Sequence, residues 1–222
     1  MSAHSDGVTS TIVAIDGPAG AGKSTIARAL ASALGWDYLD TGAMYRAVTS
    51  VALRLGLDLA DEEVLGNLSR GMSLEMNGLQ IVAEGIDVTA DIRSEAVTAA
   101  VSTVAAHSAV RSEMRRRQQE WGKGRSGGVV EGRDIGTVVF PEAVAKIYLT
   151  ATPEVRAQRR VRESGGNVSE IATAIKARDL QDSTRADSPL TEASDGIFVD
   201  TSHRTVDEVV AEIVALVKKR IS

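Results

Sequence analysis

The feature that most constrains this chain of 222 residues is a glycine-rich segment near its start. Residues 17–24 read GPAGAGKS and fit the phosphate-binding pattern G-x-x-x-x-G-K-[ST] at every fixed position. Glycines allow backbone conformations that are closed to residues with a Cβ, so successive N–H groups can converge on one anion. The pattern predicts that Lys23 reaches the outer phosphates of a nucleoside triphosphate and that Ser24 ligates Mg²⁺.

The flanking residues favour the same interpretation. Residues 11–15 (TIVAI) form a short apolar run typical of a buried parallel strand. After the glycine segment, Ile26, Leu30 and Leu34 recur at helical spacing. A glycine-rich turn that carries Lys-Ser by chance is the alternative. The order of strand, glycine loop and helix N-terminus argues against it, since the helix dipole adds to the anion site.

Composition bounds the class of protein. The chain is 43% hydrophobic and 25% charged, as expected of an ordinary globular domain, and its net charge of −5 gives no support for nucleic-acid binding. It has no cysteine, which excludes disulfides and thiolate metal sites. Residues 1–10 lack the apolar core of a signal peptide, and no later run approaches membrane-spanning length. We therefore expect a soluble cytoplasmic monomer with neither nucleic acid nor membrane as a partner.

Strand and helix patterns alternate along the chain and predict an α/β fold. Five short apolar runs of buried-strand type lie near residues 11–15, 36–39, 129–131, 145–149 and 197–199. With the first run feeding the glycine loop, the prediction is a P-loop NTPase fold, a five-stranded parallel sheet flanked by helices. Polar residues follow several of these runs at the carboxyl edge of the sheet, where ligands bind in such folds.

Two segments depart from this alternation inside what we expect to be a single domain over residues 1–222. Around Asn77-Gly78 the pattern alternates with period two, which predicts a small antiparallel β insertion at about residues 72–92. An arginine-rich helix that breaks at Ser164-Gly165-Gly166 predicts a mobile lid at about residues 155–168. Arginines 115–117 are expected to be solvated helix surface.

The remaining cationic residues bear on the class of reaction. A GTPase switch would need N-K-x-D and D-x-x-G segments, which do not occur, and the run before Glu131 departs from the Walker B strand of motor ATPases. Instead, arginines recur at separate edges of the predicted sheet: Arg46, Arg111, Arg133, Arg178 and Arg185. Phosphoryl transfer needs chiefly alignment and charge neutralisation, so this pattern favours a kinase whose acceptor is itself anionic.

Four segments carry a resemblance to a known family. Residues 15–23 (IDGPAGAGK), 39–46 (LDTGAMYR) and 131–141 (EGRDIGTVVFP) resemble the corresponding motifs of the bacterial cytidylate kinases. So does Arg178-Asp179 leading to Asp182 and Arg185. The resemblance spans nearly the whole chain in the same order, and together the motifs are far more specific than the P-loop alone.

The resemblance implies ATP-dependent phosphorylation of CMP and dCMP with Mg²⁺, on a core that carries a lid and, at about residues 72–92, an insertion that binds the nucleoside monophosphate. It assigns ATP to Gly17, Pro18, Ala19, Gly20, Ala21, Gly22, Lys23, Ser24 and Thr25. The acceptor phosphate is assigned to Thr41, Arg46 and Arg133, the cytosine to Ser102, Arg111 and Asp134, and the sugar and phosphates to Arg178, Asp182 and Arg185. The expected catalytic residues are Lys23, Arg133 and Arg160, with lid closure bringing Arg156, Arg159 or Arg160 over the transferring phosphoryl group.

Two departures from the family pattern and two rival functions remain. Ser24 stands where many members have glycine, and Thr41 replaces a common serine. Both changes keep or add a hydroxyl, so no loss of activity is expected. The rivals are another small-molecule kinase, such as one acting on UMP or shikimate, and a nucleotide-dependent binding module that no longer transfers phosphate. The second would be expected to lack the acceptor arginines, which are present.

Overall fold

The computed structural model describes residues 11–221. The ten residues interpreted above as lacking a signal peptide lie outside this range. The strands are β1 Ile12–Asp16, β2 Asp37–Asp40, β3 Leu74–Asn77, β4 Gln80–Ala83, β5 Ile86–Asp87, β6 Gly128–Glu131, β7 Ala145–Thr150 and β8 Ile197–Asp200. The α-helices are α1 Lys23–Leu34, α2 Thr41–Arg54, α3 Glu62–Gly71, α4 Glu95–Val104, α5 Ser108–Gly122, α6 Pro153–Ser164, α7 Val168–Ser183 and α8 Val206–Ile221.

The five predicted strands form one parallel sheet, which confirms the expected fold class. Their order is β2-β6-β1-β7-β8, and every neighbouring pair is parallel. The central strand β1 is buried along its whole length. The P-loop that follows β1 therefore emerges in the middle of the carboxyl edge, between the ends of β6 and β7.

Two apolar layers cover the faces of this sheet. On one face α1 and α8 cover the sheet, and Leu30 of α1 and Ile213 of α8 share an apolar core with Ile15 of β1. On the other face α2, α3 and α5 pack together, with Leu39, Met114 and other side chains in their core. Helical periodicity in the sequence thus corresponds to the buried stripes. In the part of the chain that is described, no helix is long and apolar enough to cross a membrane.

The β insertion forms a separate three-stranded antiparallel sheet, β3-β4-β5, inside the predicted range. Asn77 pairs with Gln80, so the turn residues are Gly78 and Leu79, one position later than Asn77-Gly78. In the second turn, Glu84 and Gly85 both have positive φ, 52° and 72°, as in a type I′ hairpin. The twist of these primed turns matches that of the strands.

The predicted lid at residues 155–168 corresponds to most of α6 and the connection to α7, and these two helices pack together. Thr152 and Pro153 begin α6, and the Asn167 side chain accepts hydrogen bonds from the N–H groups of Ser169 and Glu170 at the start of α7. Helix α7 ends at Ser183, so Arg185 is not on the helical face expected to carry it with Arg178 and Asp182. The chain continues as an irregular segment because Thr184 ends the helical hydrogen bonding and Pro189 follows five residues later.

The second hairpin turn gives a test of the insertion's contribution to stability. A Cβ on Gly85 would meet no atom within 4 Å, so Gly85→Ala tests the left-handed backbone conformation alone. We expect it to lower the free energy of unfolding by about 1 kcal/mol, because alanine is strained there. Gly71→Ala is the matched control, since Gly71 ends α3 in equally open space without positive φ. Urea unfolding of both variants checks this, and equal stability of the two would contradict it.

Candidate active site

One large cavity, of about 1200 Å³, opens at the carboxyl edge of the parallel sheet. It runs from the P-loop past the ends of β2 and β6 to helices α4, α6 and α7. Among the predicted site residues, those lining it are Ala19, Gly20, Ala21, Gly22, Lys23, Ser24, Thr25, Thr41, Arg46, Ser102, Arg111, Arg133, Asp134, Arg160, Arg178, Asp182 and Arg185. Gly17 and Pro18 are not among the lining residues. The structure therefore brings together groups from distant parts of the sequence.

The P-loop lies directly against the end of β7. Gly17 has φ of 144°, and a Cβ on it would lie 1.9 Å from the carbonyl oxygen of Leu149, so only glycine fits this position. Helix α1 begins at Lys23 with its N-terminus facing the cavity. The buried Lys23 ammonium donates to the carbonyl oxygen of Pro18 at 2.8 Å. Burial, followed by the nearby Arg133 guanidinium, lowers the pKa of Lys23 to about 7.

A pair of carboxylates stands behind the P-loop. Glu131, at the end of β6, is buried and accepts hydrogen bonds from the Tyr38 hydroxyl and from Ser24. Burial raises the pKa of Glu131, and the neighbouring Asp40 carboxylate raises it further. Thr41 donates its hydroxyl proton to the carbonyl oxygen of Glu131 at 2.6 Å, which ties the ends of β2 and β6 together. Like-charged carboxylates this close are a place where a cation would be stabilised.

Three arginines converge on the middle of the cavity. Burial lowers the pKa of Arg178 to about 10, and the neighbouring Arg133 and Arg46 lower it further. Within residues 11–221, the Nε atoms of Arg46, Arg178 and Arg185 are buried and have no hydrogen-bond partner. The Asp182 carboxylate lies among these arginines and accepts from Arg133 Nε at 2.9 Å. Buried donors that lack partners, in a region of accumulated positive charge, indicate an anion site.

A buried ion pair forms the far end of the cavity. Arg111 donates from Nη2 to Asp134 Oδ2 at 2.5 Å and from Nη1 to the carbonyl oxygen of Ala105 at 3.2 Å. Its guanidinium carbon lies 5.6 Å from the centre of the Tyr45 ring. Ser102, on α4, lines the same end of the cavity. A guanidinium and a carboxylate held side by side offer a donor and an acceptor to a planar polar ligand.

A π-helical turn at Ile135–Val139 follows Asp134 directly. The buried Asp16 carboxylate, at the end of β1, accepts hydrogen bonds from the N–H groups of Ile135 and Gly136, each at 2.8 Å. Burial raises the pKa of Asp16 to about 6, although these two hydrogen bonds oppose the shift. Asp16 thereby fixes the segment that carries Arg133 and Asp134 against the strand that carries the P-loop.

The lid arginines have different surroundings. Arg156 is buried and ion-paired with Asp179 at 2.5 Å, and it also donates to the carbonyl oxygens of Ala151 and Ala19. It therefore joins α6 and α7 to the P-loop. Arg159 donates to the carbonyl and hydroxyl oxygens of Thr201, while Arg160 faces the cavity with Glu163 at 3.5 Å.

Sequence reasoning missed several residues that line the cavity and misjudged the surroundings of two arginines on α5. Asp40 and Glu131 lacked a motif as a pair, although both stand at strand ends, which was the available signal. Arg93 lines the cavity from the 3₁₀ turn Asp91–Arg93, which no pattern marked. Arg115 and Arg117 are not solvated surface as expected. Arg117 donates to the carbonyl oxygens of Ser69, in the last turn of α3, and of Met72, just after it. Arg115 donates to Asp187 and Ser188.

Comparisons with known proteins agree with this geometry. A family model described as cytidylate kinase matches residues 13–219. A cytidylate kinase from Mycobacterium leprae (strain Br4923) is 46% identical over 218 residues, covering 96% of this chain and 98% of the relative. One from Geobacillus kaustophilus (strain HTA426) is 46% identical over 218 residues, covering 94% and 97%.

A solved structure supports the fold alone. An uncharacterized protein from Eubacterium ventriosum ATCC 27560 has a TM-score of 0.54 and covers 94% of this chain and 98% of its own, at 10% identity. The family model and the two relatives, by contrast, match along nearly the full length of the sequence. The chain belongs to the cytidylate kinase family.

Proposed function

We propose that the protein transfers the terminal phosphoryl group of ATP to CMP and dCMP, giving CDP and dCDP. The observation that carries the proposal is that one cavity contains a P-loop, a second cluster of cations and a buried Arg111–Asp134 pair. The P-loop would bind the triphosphate, the cluster of cations would bind the acceptor phosphate, and the Arg111–Asp134 pair would bind a base that has hydrogen-bond donors and acceptors. The family membership supports the same reaction.

ATP would lie with its phosphates on residues 17–25. The N–H groups at the start of α1 and the Lys23 ammonium face that position. Mg²⁺ would be held by Ser24, with the Glu131 and Asp40 carboxylates behind it; the oxygen donor set and the repulsion between the carboxylates fit such a cation. Residues 11–221 contain no cluster of three or more His, Cys, Asp or Glu that could hold a metal. Magnesium commonly takes most of its ligands from phosphates and water, and when bound it would neutralise phosphate charge.

The acceptor nucleotide would lie across the cavity from ATP. Its phosphate would meet Thr41, Arg46 and Arg133, and its sugar would face Arg178, Asp182 and Arg185, all of which line this part of the cavity. The base would face Ser102, Arg111 and Asp134. A carboxylate that accepts from the exocyclic amino group of cytosine rejects the carbonyl of uracil, because a mismatched base leaves buried polar groups unpaired.

Catalysis would depend on alignment and charge rather than on a strong base. The acceptor phosphate is already ionised, so it can attack without losing a proton to the protein. Lys23, Arg133 and Arg160 line the cavity; Lys23 and Arg133 would flank the position between the two nucleotides, and Arg160 would reach it from α6. Cations placed there neutralise charge on the transferring group. The protein would act as a cytoplasmic monomer, with the β insertion and the lid closing over the nucleotides.

A coupled assay of ADP release tests the proposal directly. With ATP and Mg²⁺ present, we expect turnover with CMP and dCMP and at least about a hundredfold lower kcat/KM with UMP, AMP and shikimate. Preference for UMP or shikimate would identify another small-molecule kinase. ATP binding without turnover on any acceptor would identify a binding module, and either result would overturn the proposal.

The lowered pKa of Lys23 predicts that ATP binding takes up a proton. Above about pH 7 the free protein holds Lys23 mostly neutral, and a triphosphate beside it favours the charged form, so affinity should weaken with rising pH by at most about tenfold per unit. Titration calorimetry at about pH 8 in buffers of different ionisation enthalpy measures the uptake.

Replacement of Lys23 by alanine is the control for this proton uptake. Lys23→Ala should abolish it and slow transfer by about a thousandfold or more, while CMP still binds. Proton uptake that is unchanged in Lys23→Ala would assign it to another group. Turnover that survives the change would contradict the role of Lys23.

The two lid arginines should respond differently to alanine substitution. Arg160→Ala should lower kcat by about a hundredfold with little change in Tm, because the side chain is partly exposed at the cavity. Arg156→Ala should lower Tm by several degrees, because it leaves the Asp179 carboxylate without its buried partner. Kinetics and thermal unfolding of both variants check the assignment, and the reverse pattern would exchange their roles.

A further inference from the structure

The segment after helix α7 contacts Arg111, which lies at the end of the cavity where the base of the acceptor would bind, called here the base end. Residues 184–190 leave α7 and pack against the start of α5, with the Leu190 N–H donating to the carbonyl oxygen of Asp182 at 2.9 Å. Ser188 has φ of 52°, a backbone conformation that is strained for serine. Such a conformation persists only where surrounding contacts fix it.

Those contacts centre on Asp187. Its Oδ1 accepts from the Ser188 hydroxyl at 2.6 Å and lies 3.3 Å from Arg115 Nη2. Ser108, the first residue of α5, also donates to the Asp187 carboxylate. Arg115 Nη2 in turn lies 3.1 Å from the Ser188 hydroxyl oxygen. Although partial burial opposes it, these hydrogen bonds and the nearby cations lower the pKa of Asp187, so the group is a carboxylate at neutral pH.

Asp187 also faces the Nε atom of Arg111. Arg111 Nε is buried without a hydrogen bond among the described residues, and it lies 3.8 Å from Asp187 Oδ1. This distance of 3.8 Å exceeds hydrogen-bond length, and a shift of the Asp187 carboxylate by roughly an ångström toward α5 would complete the bond. Asp134 meets the same guanidinium only through Nη2.

This geometry matters because guanidinium groups pair with carboxylates in two ways. Without a competing anion, an arginine tends to bind one carboxylate through two parallel N–H groups, and both carboxylate oxygens are then occupied. The Asp187 carboxylate lies on the Nε side of Arg111 and attracts that edge of the guanidinium away from Asp134. The pair remains single-bonded, and one Asp134 oxygen stays available to a ligand in the cavity.

We propose that Asp187 is a positioning residue that holds Arg111 so that Asp134 keeps one oxygen free to accept from the amino group of the nucleotide base. The inference rests on the proposed function, since it assigns a source to the base specificity of that site. Asp187 itself does not line the cavity. It acts through Arg111, and it also connects base recognition to the segment that carries Arg185.

Steady-state kinetics with CMP and UMP test the proposal. In Asp187→Ala, we expect KM for CMP to rise about tenfold with kcat within about twofold, and the preference for CMP over UMP to fall about tenfold, as for loss of one charge-assisted contact. Asp187→Asn keeps the shape and an acceptor oxygen without the charge, so its values should lie between those of wild type and Asp187→Ala.

Arg115→Ala is the matched control because Arg115 binds Asp187 and Ser188 but does not contact Arg111 or line the cavity. It should lower Tm about as much as Asp187→Ala and leave the CMP preference intact. If Arg115→Ala loses the same preference, or if neither Asp187 variant loses it, Asp187 only docks the segment and the inference is wrong. If the wild-type protein does not phosphorylate CMP, the proposed function fails first and the inference fails with it.

Discussion

The two hydrogen bonds to the Asp16 carboxylate hold the halves of the site in register. Asp16 ends the central strand just before the P-loop, and its partners are the N–H groups of Ile135 and Gly136, just after Arg133 and Asp134. Burial raises the pKa of Asp16 from 3.8 to about 6. The charged form at neutral pH therefore works against folding, and this group's contribution to stability falls as pH rises between those values. The carboxylate nevertheless provides two acceptors that connect the donor half of the site to the acceptor half.

Negative and positive side chains lie on opposite sides of the P-loop. Carboxylates lie behind the P-loop at Glu131 and Asp40, and cations lie ahead of it at Arg46, Arg133 and Arg178. Repulsion among the arginines is a cost within the cavity, since burial and the neighbouring guanidinium groups lower the pKa values of Arg46 and Arg178. Anionic ligands would relieve the repulsion. The Nε donors of Arg46 and Arg178 are buried and have no hydrogen-bond partner within residues 11–221, so an anion would gain binding energy from unpaired donors rather than from a preformed network.

Sequence patterns predicted the sheet, the P-loop and the cavity residues well because each rests on local chemistry or on the rule that strand ends meet. Patterns were weaker where a residue's role depends on what packs beside it. Arg156 and Arg160 are four positions apart on α6, yet one is buried against Asp179 and the other faces the cavity. Arg185 reaches the cavity from an irregular segment and not from the helix expected. For Asp187 the sequence offers no signal, because its partners Arg111 and Ser108 lie more than seventy positions earlier.

The ion pair of Arg133 with Asp182 makes helix α7 a competitor of an anionic ligand for the cation cluster. Arg133 extends from the end of β6 and meets the Asp182 carboxylate on α7 at 2.9 Å, so this carboxylate supplies the negative charge that faces the guanidinium. A phosphate entering the cluster would compete with Asp182 for this guanidinium, and the helix could then shift without leaving Arg133 unpaired. The segment after α7 carries Asp187, which lies against Arg111 on α5. A movement of α7 would therefore also reach the base end of the cavity. Phosphate binding at one end of the cavity and base recognition at the other end would therefore be coupled through α7.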